Sequence, residues 1–474
     1  MLFNSWQYAL FFPIVFALYW GLPHKFRVYL LLVASYYFYM SWNVKYVVLI
    51  LFTTLVSYSA ALMIHRSESQ HIKRVILILS LAACLGVLFV FKYFNFFAGA
   101  VVDFLNMFAL HLHPMTLKLL LPVGISFYTF QTLSYVIDVY RGSVKPERNF
   151  VVYALFVSYF PQLVAGPIER TNNLLPQIKA RHDFNYEQAV YGVKLMTWGF
   201  FKKLAIADVL AVYVDKVFSN VYGYEGFPLL LAVGFFTMQI YCDFSGYSDI
   251  ARGCSKMLGI DLMENFRSPY FSASIREFWS RWHISLSTWF RDYVYIPLGG
   301  NRCGKFRHSV NLMITFMISG LWHGASWNFV VWGAVHGLAQ VVENAFTRGK
   351  KQEVHGLIWA VRVVMTFVFV MMAWVFFRAE SLSEAVYVFT HMFKSLYIFG
   401  NGLDFGANRT FVVFCMVIIL IVHDFISLKH DVIAATASIK VLPRWILYNI
   451  LTALTFMVYT LFAVANVNFV YFQF

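Results

Sequence analysis

His323 has the residue type and the surroundings of a catalytic base. It lies in the uncharged run Ser309–Val342, which is long enough to be buried in a membrane. A titratable side chain at membrane depth is costly, so its presence there indicates function. Gly320 and Gly324 flank it and leave space for a substrate or for a neighbouring backbone. The alternative for His323 is a structural role, in which a neutral histidine hydrogen-bonds to another helix. His336 lies on a different face of the helix, and for it the structural role is favoured.

His283 is the second candidate, and it lies in Arg252–Arg307, where basic and aromatic residues are interleaved. At about 100° per residue, one stripe is formed by Phe278, Trp282, Leu286, Trp289 and Tyr293. The opposite side carries Glu277, Arg281, Arg291 and Asp292. This pattern predicts one amphipathic helix, interfacial or re-entrant, with His283 at the edge between the two faces. From that edge the side chain would either face lipid headgroups or turn inward to a site.

Two acidic residues precede this segment in YCDFSGYSDIARG. Asp243 and Asp249 would either support a site or pair with the nearby Arg252. Pairing is favoured, because a buried carboxylate needs a partner to offset its desolvation.

The composition indicates how these side chains are positioned. The chain has 474 residues, of which 60% are hydrophobic, 20% aromatic and 13% charged. Soluble globular proteins are about half apolar and about a quarter charged. Formal charge is absent from Met1–His24, Asn149–Ile168 and Trp445–Phe474 as well. We therefore expect an all-α polytopic membrane protein, with residues 1–474 forming a single domain.

The apolar runs predict a series of helices. They lie at about 8–20, 28–42, 46–64, 75–97, 119–137, 149–168, 189–213, 227–245, 309–322, 326–342, 358–377, 410–427 and 446–466. Some of these helices are expected to be tilted or re-entrant, which gives roughly 11–13 membrane-embedded helices. The sequence contains no internal repeat of the kind that transporters carry.

The net charge of +14 would suggest nucleic acid binding in a soluble protein. Here the basic residues cluster between apolar runs, where the positive-inside rule and anionic headgroups account for them. Nucleic acid is therefore not an expected partner, and membrane lipids are. Two predicted loops are basic: one carries Lys25 and Arg27, and the other carries Arg66, Lys73 and Arg74. Both are predicted to lie on the same face of the membrane. That face should be cytoplasmic, which places the N-terminus outside.

Several standard sites are excluded. The sequence has no G-x-S-x-G elbow. Gly299–Lys305 matches G-x-x-x-x-G-K, but Phe306 stands where the Ser or Thr of a phosphate-binding loop would bind magnesium. The five cysteines form no C-x-x-C pair and no zinc spacing. We expect no metal site and no tightly bound cofactor.

Three longer strings together resemble a known family. They are QIYCDFSGYSDIARG, NFRSPYFSASIREFWSRWHISLSTWFRDYVYIPLGGNR and GLWHGASWNFVVWG. In this order they resemble the membrane-bound O-acyltransferases, and most closely the bacterial alginate and peptidoglycan O-acetyltransferases. The resemblance covers most of the chain and is densest over residues 121–342, the expected catalytic core.

The resemblance implies both a fold and a site. The fold would be a ring of tilted transmembrane helices around a thin core, with a funnel on each side. The histidine of the family's W-H-G block falls on His323, and that of R-W-H-x-S-x-S falls on His283. The implied activity is transfer of an acetyl group across the bacterial cytoplasmic membrane for O-acetylation of an extracytoplasmic polysaccharide, with His323 as general base.

The same resemblance implies a donor and a partner. The donor would be acetyl-CoA or an acyl carrier protein thioester, and an SGNH-type acetyltransferase would act outside the membrane. Two other functions remain open from the residues: a transporter or flippase for a lipid-linked sugar, and a non-catalytic scaffold of a polysaccharide export complex.

The chain ends in an aromatic tail, Phe469–Phe474. The tail resembles the C-terminal motif of the small partner protein in teichoic acid D-alanylation, in which a central Tyr is thought to carry the acyl group. The resemblance gives that role to Tyr471. The alternative is a set of aromatic anchors at the membrane interface.

Overall fold

The computed structural model describes residues 1–347, 354–394 and 407–462. Over these ranges the regular secondary structure is helical. The chain divides into two compact units. The first consists of Met1–Val193 and Ala251–Met263, and the second of Lys194–Ile250 and Glu264–Phe474. Tyr471 lies outside the described residues, so its predicted role is untested.

The helices of the first half of the chain range in length from four residues in α8 to twenty in α3. They are α1 (Trp6–Gly21), α2 (His24–Met40), α3 (Val47–Arg66), α4 (Gln70–Leu88), α5 (Phe94–Asn106), α6 (Ile125–Tyr140), α7 (Phe150–Ser158), α8 (Phe160–Leu163), α9 (Thr171–Lys179) and α10 (Tyr186–Phe200). A π-helical segment, Phe89–Tyr93, joins α4 to α5, and a second, Phe201–Ala207, follows α10.

The remaining helices include those that carry the candidate residues. They are α11 (Asp208–Phe218), α12 (Phe227–Met257), α13 (Ile275–Arg281), α14 (Ile284–Phe290), α15 (Lys305–His323), α16 (Trp327–Thr347), α17 (Gly356–Arg378), α18 (Leu382–His391), α19 (Ala407–Ser427), α20 (Val432–Ala435) and α21 (Val441–Leu461). The π-helical segment Arg291–Tyr295 extends α14. The short 3₁₀ segments are Val44–Tyr46, Val221–Gly223, Pro269–Phe271 and Thr436–Ser438.

The long apolar helices support a polytopic membrane protein. In the described part of the chain, five helices are long and apolar enough to cross a membrane, and a bent pair in the region of α19 and α20 would make six. The expectation of roughly 11–13 embedded helices also counted shorter and more polar helices, and that number stays a prediction. The all-α polytopic class is confirmed.

One predicted helix of the first unit is broken. The apolar run 149–168 was expected to be continuous, but α7 ends at Ser158 and α8 begins at Phe160. Tyr159 has a ψ of 111°. Pro161 does not fit a continuous helix here, because it has no N–H and its ring would clash with the carbonyl four residues earlier. The Phe160 amide donates to Ser35 Oγ at 3.1 Å, so a side chain of α2 replaces the lost helical hydrogen bond.

Buried ion pairs lie in the second unit. The Nζ atom of Lys202 lies 2.6 Å from Asp249, and that of Lys203 lies 2.6 Å from Asp243 and 2.7 Å from Asp208. Both lysines belong to the wider turn of a π-helical segment. Asp243 and Asp249 are therefore paired, but with Lys203 and Lys202, which the sequence did not suggest. Pairing with Arg252 stays a prediction.

Candidate active site

His323 is positioned by the close packing of α15 against α16. A Cβ atom at Gly320 would overlap the carbonyl oxygen of Phe329, and one at Gly333 would overlap that of Phe316. The two helices therefore approach backbone to backbone, which holds the end of α15 in place. The sequence predicted that Gly320 leaves space for either a substrate or a neighbouring backbone. The structure shows the second, because the α16 backbone fills this space.

The His323 imidazole lies among aromatic rings. It is the last residue of α15, and the residue is only 4% exposed. Its ring centre lies 5.0 Å from that of Trp332 and 5.3 Å from that of Phe377. Such apolar walls exclude water, so a proton transfer at this ring would occur in a medium of low dielectric constant.

His283 lies at a break between two helices, which corrects the predicted geometry. The sequence predicted one amphipathic helix with His283 at its edge, but α13 ends at Arg281 and α14 begins at Ile284. His283 adopts the left-handed conformation, with φ 43° and ψ 54°, and is fully buried. This conformation costs a residue with a Cβ about 1–3 kcal/mol, so surrounding contacts must impose it. The predicted aromatic side of the segment is nevertheless the buried one, as Trp282 and Trp289 show.

The break turns the His283 ring toward His323. The centres of the two imidazoles lie 6.5 Å apart, and the Phe244 ring packs edge-on against His283 at 4.6 Å. Burial lowers the pKa of His283 to about 3, so its ring is neutral at physiological pH. A neutral imidazole offers one donor and one acceptor, which suits it to hold a substrate group beside a base.

His336 occupies a separate position in the same core. The Trp279 indole donates to His336 Nδ1 at 3.3 Å, and the Trp332 ring lies between His336 and His323, about 5 Å from each. The hydrogen bond fits the structural role that the sequence favoured for His336. Among the described residues, no three His, Cys, Asp or Glu side chains group as a metal site.

A charged cavity of about 1120 Å³ opens between α13, α16 and α17. Its lining includes Arg276, Arg281, Arg362, Glu277 and Glu343. Arg281 pairs with Glu277 at 2.6 Å, and Glu343 accepts the Ile275 amide at 2.8 Å. Three guanidinium groups against two carboxylates make the cavity suitable for an anionic group.

Aromatic rings connect this cavity to the histidine pair. Phe369 lines the cavity, and its ring centre lies 5.6 Å from that of His336. The Trp332 ring then continues the series to His323. The sequence analysis missed Arg362 and Glu343, although Glu343 is the first charge after the run that contains His323. A charge that ends a long apolar run marks the mouth of a buried region and could have indicated Glu343.

The sequence is similar to those of known proteins. A sequence model of the membrane-bound O-acyltransferase family matches residues 143–381, which include both histidines and the cavity. The chain is 41% identical over 413 residues to a probable alginate O-acetylase of Pseudomonas putida, covering 86% of this chain and 83% of that protein. It is 37% identical over 388 residues to a peptidoglycan O-acetyltransferase of Helicobacter pylori, covering 76% and 73%.

A more distant relative carries a different acyl group. A teichoic acid D-alanyltransferase of Bacillus subtilis is 29% identical over 239 residues, which cover 48% of this chain and 60% of that protein. The family match includes His283, His323, the break between α13 and α14, and the packed α15–α16 hairpin. The chain therefore belongs to the membrane-bound O-acyltransferase family and is an O-acyltransferase.

Proposed function

We propose that this enzyme moves an acetyl group from a cytoplasmic thioester across the bacterial inner membrane for O-acetylation of an extracytoplasmic polysaccharide. The observation that carries the proposal is the buried pair His283 and His323, with ring centres 6.5 Å apart. The names of the relatives support acetyl as the group and alginate or peptidoglycan as the class of final acceptor.

His323 acts as the general base. Its imidazole takes the proton of an acceptor hydroxyl as that oxygen attacks the thioester carbonyl. The new C–O bond forms and the C–S bond breaks, and the imidazolium returns the proton to the departing thiolate. The aromatic walls formed by Trp332 and Phe377 keep water from hydrolysing the thioester.

His283 orients the reacting groups rather than moving the proton. Its low pKa keeps the ring neutral, so it can donate one hydrogen bond to a carbonyl or accept one from a hydroxyl. A proton acceptor works best with a pKa near the operating pH, and a pKa of about 3 makes His283 a poor one.

The donor binds with its phosphate-bearing end in the cavity lined by Arg276, Arg281 and Arg362. Guanidinium groups bind phosphate through paired, charge-assisted hydrogen bonds. Along α16, Glu343 and Trp332 are eleven residues apart, which corresponds to about 16 Å at about 1.5 Å per residue. A pantetheine arm of similar length would bring the thioester toward His323. Acetyl-CoA and an acyl carrier protein both supply this arm.

Tyr471 is the proposed first acceptor, and an SGNH-type partner then moves the acetyl group from its phenolic oxygen to the polymer. A phenol has an ordinary pKa near 10, so it needs a base such as His323 to attack a thioester. The aryl ester formed is a good donor, because phenolate leaves more readily than an alkoxide.

A transfer assay in proteoliposomes tests the proposal. Purified enzyme is reconstituted and labelled acetyl-CoA or acetyl-carrier protein is supplied on one side only. Label should appear in ester linkage on the protein or on an added hydroxyl acceptor, and the His323→Ala variant should not form it. Equal labelling by this variant, or movement of a lipid-linked sugar without acyl transfer, would overturn the proposed function.

A further inference from the structure

We propose that Asn265 is the positioning residue for His283: it caps α14 in place of the histidine and thereby fixes the ring toward His323. The inference rests on the proposed function, in which His283 orients the reacting groups. Asn265 is 1% exposed and belongs to the second unit with both histidines.

The N-cap position of α14, just before its first residue, is occupied by a residue whose side chain does not cap the helix. Helices begin most often with Ser, Thr, Asp or Asn, whose side chains accept the first free amides. Ser274 accepts from Glu277 at the start of α13, and Ser381 does so from Glu384 at the start of α18. At the start of α14 stands His283, and its side chain makes no capping hydrogen bond.

Asn265 supplies the missing acceptors from elsewhere in the chain. Its backbone oxygen accepts the Ile284 amide at 3.0 Å, and its side-chain Oδ1 accepts the Ser285 amide at 3.2 Å. These two amides are among the first four of α14, which have no acceptor within the helix. A capping side chain normally accepts from the second or third of them, so Asn265 Oδ1 takes that role at Ser285. Because Asn265 provides this function, the capping position is open to a histidine whose ring points elsewhere.

The same segment also holds the chain before His283. The Arg267 amide donates to the Arg281 carbonyl at 3.0 Å, at the end of α13. Residues 265–267 therefore bind the backbone on both sides of Trp282 and His283. These contacts account for the left-handed conformation at His283, which its local sequence does not favour.

This arrangement predicts a kinetic effect that depends on His283. In Asn265→Ala the Ser285 amide loses its acceptor, the start of α14 relaxes and the imidazole moves away from His323. The donor cavity is built from α13, α16 and α17, so the KM for the donor should stay within about threefold. The kcat should fall by about tenfold or more, because small misplacements at a reacting centre are costly.

The decisive experiment is a double-mutant cycle on transfer of labelled acetyl from acetyl-CoA in proteoliposomes. Asn265→Ala is made in the wild-type protein and in His283→Gln, and single-turnover rates are measured. If Asn265 acts through His283, its substitution should lower the rate by less than about twofold once the imidazole is absent. Asn328→Ala is the matched control, since Asn328 is a buried asparagine of α16 that donates to the Ala379 carbonyl at 2.6 Å. Asn328→Ala should lower the rate by the same factor in the wild-type protein and in His283→Gln.

Two outcomes would overturn the inference. One is an equal fold-loss from Asn265→Ala in both backgrounds, which would make Asn265 a general structural residue and leave the proposed function intact. The other is full activity of His283→Gln, which would remove both the inference and the orienting role of His283. Asn265→Asp keeps the acceptor oxygen and should retain kcat within about threefold. If Asn265→Ala does not fold, loss of activity in a folded Asn265→Asp protein would itself refute the proposal.

Discussion

The imidazole rings of His283 and His323 lie 6.5 Å apart, with their planes inclined by 64°. One ring comes from the break between α13 and α14, and the other from the last residue of α15. Both are enclosed by aromatic side chains, Phe244 on one side and Trp332 on the other. The two rings are thus neighbours in one buried core.

Replacing His323 by alanine should abolish acetyl transfer while leaving expression and membrane insertion unchanged. Removal of a general base lowers rates by about 10²–10⁴-fold. The measurement is turnover of labelled acetyl-CoA in proteoliposomes. His336→Gln is the control, since His336 is buried in the same core but separated from the pair by Trp332. Activity of His323→Ala within a few-fold of wild type would exclude the base assignment.

Replacing His283 by alanine should lower kcat less than the His323 substitution does, since an orienting group contributes less than the proton acceptor. Both variants are compared under saturating donor with the same acceptor. A loss in His283→Ala greater than that in His323→Ala would exchange the two roles.

The cavity arginines should govern donor affinity. Arg276→Gln, Arg281→Gln and Arg362→Gln should each raise the KM for acetyl-CoA by about tenfold, the equivalent of one charge-assisted hydrogen bond. The kcat should change little. Arg302→Gln is the control, because Arg302 lies in the same basic segment but is exposed.

The location of the cavity can be tested by labelling. A cysteine at position 362 should react with a membrane-impermeant maleimide applied from the cytoplasmic side. If the cysteine reacts only with maleimide applied from the outside, the cavity does not bind a cytoplasmic donor. A rise in the KM of Arg302→Gln equal to that of the cavity variants would also contradict donor binding in this cavity.

Tyr471→Phe should abolish acetylation of the polymer in cells while keeping the aromatic character of the tail. The substitution removes only the phenolic oxygen, so it separates an acyl carrier from a membrane anchor. Mass spectrometry of the wild-type tail after incubation with donor should show an acetyl ester on this residue. Normal polymer acetylation by the variant would leave the tail as an anchor.

The buried neutral His283 should make the protein sensitive to acid. Burial lowers its pKa to about 3, whereas an imidazole exposed in the unfolded chain has its ordinary pKa of 6.5. Between these values the unfolded state binds a proton that the folded state does not, so stability falls as the pH drops below about 6.5. The Tm in detergent should therefore fall more steeply from pH 7.5 to pH 5 in wild type than in His283→Gln. Equal slopes would contradict a buried neutral histidine.

Much of the site could be predicted from the sequence because its signals are local. An uncharged run around His323 and the surrounding motif blocks identified the family and both histidines. Helical periodicity also indicated the buried side of the segment around His283, since it reports which side chains share a face. The number of embedded helices and the role of Tyr471 stay predictions.

The helix break at His283 and the buried ion pairs were decided by the tertiary structure, because helical periodicity reports only which side chains share a face. At the break, the Ile284 and Ser285 amides donate to Asn265, which is distant in sequence, whereas a periodic pattern assumes a continuous helix. The pairing of Asp243 and Asp249 with Lys203 and Lys202 depends on contact between α12 and a π-helical segment distant in sequence. The sequence by itself therefore determined the membrane class, the family and the identity of the histidines. Their 6.5 Å separation required the contacts that bring distant segments of the chain together.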